Sequence, residues 1–149
     1  MKIAALPHVD EHTTIVAAEP AAVWRGIDDV LDRSFASDRT ARYARLLGCA
    51  DRTVSGPRPV AEGSRFPGLR VAGARPGREL VLVGRHHFST YALVFRLDEA
   101  GPGRTLLRAE TRARFPGPVG RLYRRLVIGT GGHAAFVRRL LSAVRRGAE

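Results

Sequence analysis

The chain has no asparagine or glutamine, and only one lysine, one cysteine, one methionine and one tryptophan in 149 residues. The lone Cys49 excludes an internal disulfide framework and fits a reducing compartment, so a cytoplasmic location is expected. No apolar run reaches the roughly 18 residues that a membrane span requires, so membrane insertion is not expected. The opening MKIAALPHVDEH lacks a sustained apolar stretch and soon turns polar, which argues against a signal peptide. Acidic residues are few, 14 against 25 basic ones, for a net charge of +11. That excess invites a nucleic-acid reading. Every basic residue except Lys2 is arginine, however, and the arginines are scattered from Arg25 to Arg146. Together with the abundance of alanine, glycine and proline, this is the imprint of GC-rich codons. A solvated basic surface follows, with no specific nucleic-acid partner and a weak affinity for anionic surfaces left open. The length suits one domain spanning 1–149, large enough for a real core.

What is present is a regular alternation of patterns. Residues 12–18 are β-branched and alternating, with Thr13, Thr14, Ile15 and Val16 predicting a first strand. Pro20 suits the first turn of a helix, where its missing N–H costs nothing. Val23, Trp24, Ile27, Val30 and Leu31 then share one helical face, with Arg25, Asp28, Asp29 and Asp32 opposite. A second helix is predicted over Arg39–Leu47, with Tyr43, Leu46 and Leu47 inward and Gly48 ending it. Residues 51–64 read as a loop or irregular strand. Phe66–Ala74, Glu79–His86, His87–Leu97 and Arg104–Phe115 read as strands, punctuated by Pro76-Gly77 and by Gly101-Pro102-Gly103. In the last of these, Thr105, Leu107, Ala109, Thr111 and Ala113 share one face, and Leu106, Arg108, Glu110, Arg112 and Arg114 the other. That period of two predicts an antiparallel sheet with one dry and one wet face. From Pro118 to Arg146 the pattern predicts a single helix of roughly 40 Å. Its stripe runs through Leu122, Leu126, Gly129, His133, Phe136, Leu140 and Val144.

The strand and helix of TTIVAAEPAAVWRGIDDVL (Thr13–Leu31), the run of antiparallel strands and the terminal helix together resemble the START-like SRPBCC superfamily. Its relatives include polyketide cyclases and lipid-transfer proteins. The resemblance covers nearly the whole chain and rests on loose patterns. It implies an α+β helix-grip fold, a curved antiparallel sheet around a long C-terminal helix with two short helices after the first strand. It also implies an interior that encloses an apolar or amphipathic small molecule, such as a lipid, a polyketide or an aromatic compound.

Candidate ligand-binding residues follow from the predicted dry faces. They are Leu82 and His86, Tyr91 and Phe95, Leu107, and from the helix Leu126, Gly129, Gly132, His133 and Phe136. Apolar walls with a few polar groups are the expected make-up of such a site. A fully packed interior is the alternative. His86, Tyr91 and His133 would orient a ligand, and His133 reads equally as a core histidine with one hydrogen-bond partner. Trp24 and Tyr123 read as core anchors. The three glycines near His133 predict either a kink or a thinning of the helix that leaves room for a ligand.

Gly129–Ala134 fits G-x-G-x-x-A, but a dinucleotide site needs a βαβ unit, and the stretch from Ala134 to Glu149 leaves no room for a second strand, so such a site is not expected. No cofactor is expected. His86 and His87 are adjacent and point to opposite faces of a strand, so no metal site is expected. No nucleophile elbow is present, and no catalytic residue is assigned. Three functions stay open: a ligand-binding protein, monomeric or homodimeric; a cyclase or dehydratase-type enzyme using the same cavity through histidine or tyrosine; and a basic module for anionic surfaces.

Overall fold

The computed structural model describes residues 3–35, 38–51 and 53–149. A short 3₁₀ turn at Ile3–Ala5 leads into strand β1 (His8–Val16) and helices α1 (Pro20–Phe35) and α2 (Asp38–Leu47). Strands β2 (Arg65–Phe66), β3 (Leu69–Arg75), β4 (Glu79–His86), β5 (Ser89–Glu99) and β6 (Thr105–Arg114) follow, then helices α3 (Gly117–Val127) and α4 (Gly132–Ala148). The six strands form one sheet in the order β1-β6-β5-β4-β3-β2, with every neighbouring pair antiparallel. This is the α+β helix-grip arrangement. Among the described residues, no helix is long and apolar enough to cross a membrane.

The inner face of the sheet is built in rows across the strands. Leu80 faces Phe95, and Phe95 faces Ala109. One step along, Leu82 faces Leu93, which faces Thr111, which faces Asp10. One further step brings Gly84 opposite Tyr91 and Tyr91 opposite Ala113. On β6 the alternation holds as predicted, with Thr105, Leu107, Ala109, Thr111 and Ala113 all buried. α1 lays Val23, Ile27, Val30 and Leu31 onto this face, and α4 adds Val137, Leu140, Leu141 and Val144. α1 and α4 approach closely at Gly26, where an added Cβ would lie 3.3 Å from the Val144 carbonyl. Trp24 packs half-buried against the same core, an anchor as expected.

Several expectations are corrected. β1 begins at His8, not at 12, which brings Asp10 and His12 into register with Thr111 and Ala109 on the inner face. Asp28 and Asp32 do not merely face solvent. Asp28 Oδ1 accepts the Val60 N–H at 3.0 Å and Asp32 pairs with Arg58, tying the 51–64 loop to α1. The strand predicted over Phe66–Ala74 is a tight hairpin, because Pro67-Gly68 turns the chain between β2 and β3. The inner stripe of α2 is Thr40, Ala44 and Leu47, whereas Leu46 is 79% exposed. The Tyr43 side chain lies outside the described residues.

The outer face is not wholly wet. Leu6, Val83 and Ala92 form a small second cluster there, with Ile3 against it. Beside it runs a ladder of paired charges, in which Arg96 bridges Glu79 and Glu110, and Arg112 and His8 also reach Glu110.

The single terminal helix is in fact two. α3 ends at Val127, capped by Ile128, and Gly131 (φ 78°, ψ 2°) caps the start of α4 from the left-handed region, where a side chain would be strained. Thr130 Oγ1 closes the break by donating to the Leu126 carbonyl at 2.6 Å. The stripe changes accordingly. On α3 the inward positions are Gly120, Tyr123 and Val127, while Leu122 (57% exposed) and Leu126 (62%) face out.

Candidate functional site

Beyond the packed rows the sheet and helices part, leaving an open cavity of about 260 Å³. β4, β5 and β6 supply its floor with His86, Ser89, Tyr91, Leu93, Thr111 and Ala113. Thr40, Ala44 and Leu47 of α2 form one wall, Tyr123 and Val127 of α3 another, and His133, Phe136 and Val137 of α4 a third. Phe35 and Phe136 meet edge to face at 5.8 Å. Among the described residues, no arginine, lysine, aspartate or glutamate lines it.

Tyr91 is fixed by local sequence. Its hydroxyl donates to the Gly68 carbonyl at the β2–β3 turn. Its ring lies over Gly84, where a Cβ would stand 2.4 Å from the ring and 2.2 Å from the Gly68 oxygen. Only glycine admits that approach. Burial, reinforced by the neighbouring Cys49 thiol, holds the Tyr91 phenol far above its ordinary pKa, so it stays neutral. Burial raises Tyr123 likewise.

His86 closes an aromatic corner, with ring centroids 5.0 Å from Tyr123, 5.5 Å from Tyr91 and 5.9 Å from Phe88. Phe88 stacks on Tyr123 at 5.3 Å. Burial, then the nearby His87, lowers the His86 pKa.

His133 belongs to a second polar group. Its Nε2 lies 2.9 Å from Thr111 Oγ1 and 3.7 Å from Asp10 Oδ1. Asp10 Oδ2 is 3.3 Å from His12 Nε2, while Asp10 Oδ1 is buried with no hydrogen-bond partner among the described residues. Burial lowers the His133 pKa, Asp10 opposes that and His12 adds to it. The hydroxyl and the carboxylate approach the same ring nitrogen. A nucleophile–base–carboxylate relay needs them on opposite nitrogens, so the group is not such a triad. It remains able to hold or pass a proton. Among the described residues no three His, Cys, Asp or Glu side chains gather as metal ligands.

The structure brings His86, Tyr91, His133 and Phe136 of the sequence-predicted set into one cavity wall. Leu82, Phe95 and Leu107 lie instead in the packed core, fully buried. Leu126, Gly129 and Gly132 are exposed and outside the wall. The glycines break the helix rather than thin it. Tyr123, read from the sequence as a core anchor, lines the cavity instead. Sequence reasoning missed Asp10 and His12, although a period-two reading extended back from Val16 through Thr14 would have placed both on the inner face.

No family model matches the sequence, and no curated protein matches it. Solved structures do match in three dimensions. Zhui aromatase/cyclase from Streptomyces sp. R1128 superposes with a TM-score of 0.60 at 18% identity, covering 96% of this chain and 93% of that one. A conserved protein from Geobacillus kaustophilus gives 0.58 at 14% identity, covering 93% of each chain. CalU16 from Micromonospora echinospora gives 0.51 at 14% identity, covering 97% and 91%. The chain therefore has the START-like, SRPBCC-type fold that its sequence pattern resembles.

Proposed function

We propose that the protein binds a neutral apolar or amphipathic small molecule between the sheet and the C-terminal helices, aromatic in preference to aliphatic. The observation that carries this is an aromatic-lined cavity with no charged residue among its described lining residues, in a chain with 25 basic residues. An arginine-rich protein that bound fatty acids or phosphates there would be expected to place a guanidinium in the wall. An apolar cavity of about 150 Å³ accommodates one benzene ring, so about 260 Å³ suits two or three fused rings. The fold shared with an aromatase/cyclase supports this reading. Cys49 as sole cysteine fits a cytoplasmic setting.

A second reading, a cyclase or dehydratase-type enzyme, is favoured by the Thr111–His133–Asp10 contacts beside the same cavity. It requires a His133→Ala variant to lose turnover while retaining ligand.

Titration with the neutral fluorophore N-phenyl-1-naphthylamine tests the binding reading. Saturable uptake of one probe per chain is expected, lost in Ala113→Phe, which fills the floor, and not displaced by decanoate. Uptake that is unsaturable, or unchanged in Ala113→Phe, would overturn it.

A further inference from the structure

Most polar groups of the cavity wall are already engaged. The Tyr91 hydroxyl is held by Gly68, the Thr40 hydroxyl by the Ser34 carbonyl, and Thr111 and His133 by each other. His86 differs. The backbone N–H of Phe88, in the turn between β4 and β5, donates to His86 Nδ1 at 3.1 Å. A peptide N–H can only donate, so Nδ1 must present its lone pair. The neutral ring then carries its proton on Nε2. Protonating the ring would require a hydrogen on Nδ1 and would break the Phe88 contact, which acts in the same direction as burial. The ring is thus fixed in one tautomer and uncharged.

Nε2 lies at the edge of the ring opposite Nδ1, and no described residue accepts its proton. Ser89 stands directly across the strand pair from His86 in the same wall, and its hydroxyl also has no partner among the described residues. Donors in an otherwise apolar wall are costly to leave unmatched. We infer that His86 Nε2–H, with Ser89 beside it, is a preset donor site for an uncharged oxygen on the ligand, a ketone or phenol oxygen attached to its ring system. This rests on the cavity-binding reading and adds to it what the ligand must carry. A carboxylate is disfavoured there, because no cation among the described residues stands by to replace the water it would lose.

The test pairs 1-tetralone with tetralin, which share a ring skeleton and differ by the ketone oxygen. In His86→Phe, 1-tetralone is expected to weaken by about tenfold, the upper range for one hydrogen bond. Tetralin should be unaffected, which also shows that the variant is folded. His86→Gln, which restores an N–H near the Nε2 position, should recover much of the loss. In the unmodified protein, nitrogen-15 NMR should show the Nε2–H tautomer at neutral pH, with a resonance that moves on adding 1-tetralone and not on adding tetralin. Equal weakening of both compounds in His86→Phe would reduce His86 to packing. A proton on Nδ1, or an Nε2–H unmoved by 1-tetralone, would overturn the proposal, the latter by showing that the Tyr123 ring already satisfies the donor. If neither compound binds the unmodified protein, the cavity reading itself falls and this proposal with it.

Discussion

The two ends of one sheet face are built to opposite ends of the packing scale. At the end under α1 and α4, Leu80, Phe95 and Leu107 are fully buried against Val23, Ile27 and Val137. At the other end, a few residues along the same strands, Tyr91, Ser89 and Ala113 face a void. The strands do not change character between them. The cover does: long helices meshed along apolar stripes over one end, and the smaller Thr40 and Ala44 with the short helix α3 and the first turns of α4 over the other. Whether a sheet face becomes core or container is decided by what lies on it.

The sharpest way to break this contrast is at the filled end. Leu107→Ala removes a fully buried side chain and should cost about 2–5 kcal/mol in denaturant unfolding. A loss below about 1 kcal/mol would mean that the two ends are equally loose. At the boundary, Gly84→Ala drives a methyl group against the Gly68 carbonyl and the Tyr91 ring. It should cost about 1–3 kcal/mol and displace Tyr91. Unfolding and Tyr91 ring resonances identical to the parent's would show that the floor there is soft.

The third effect is set by pH. His86 and His133 both have lowered pKa values and both lie at the hollow end. In the unfolded chain they protonate near about pH 6.5, while in the folded chain they resist. Their contribution is therefore complete above that pH and lost as the pH falls through the lower folded values. Glu110, on the outer face with a lowered carboxyl pKa, acts in a more acidic window. Hydrogen exchange at pH 7 and pH 5 should show the β4–β5 turn losing protection before α1. A His86→Gln, His133→Gln double variant should flatten the slope. Uniform loss across both ends would erase the distinction.

The filled end was the more legible in the sequence. β6 alternates strictly, and α1 carries large apolar residues at helical spacing, so hydrophobic periodicity alone identifies their inner faces. The hollow end gives weaker signals because its wall is made of residues that periodicity counts poorly. Thr40 and Ala44 mark the inner stripe of α2 less strongly than Leu46, which points outward. On α3, Tyr123 and Val127 compete with Leu122 and Leu126 one residue away. Asp10 and His12 occupy inner positions of β1 as polar residues, so no apolar alternation reveals them. The break at Gly129–Gly132 was half legible, since the three glycines announced a kink or a thinning without deciding between them. The stripe from Leu126 to Phe136 keeps its spacing across it, and only the left-handed Gly131 reveals that the chain stops and restarts.

That break has an evolutionary consequence. Because α3 and α4 are separate helices, Tyr123 and Val127 of the cavity wall sit on a different piece of chain from Leu140, Leu141 and Val144 of the core, and only the first turns of α4 serve both. Tyr123 and Val127 can be exchanged for smaller or larger side chains without touching Leu140, Leu141 or Val144, which are buried in the core. The cavity wall can change along α3 while the scaffold stays constant, a division that suits a fold shared at 14–18% identity with the neighbours described above.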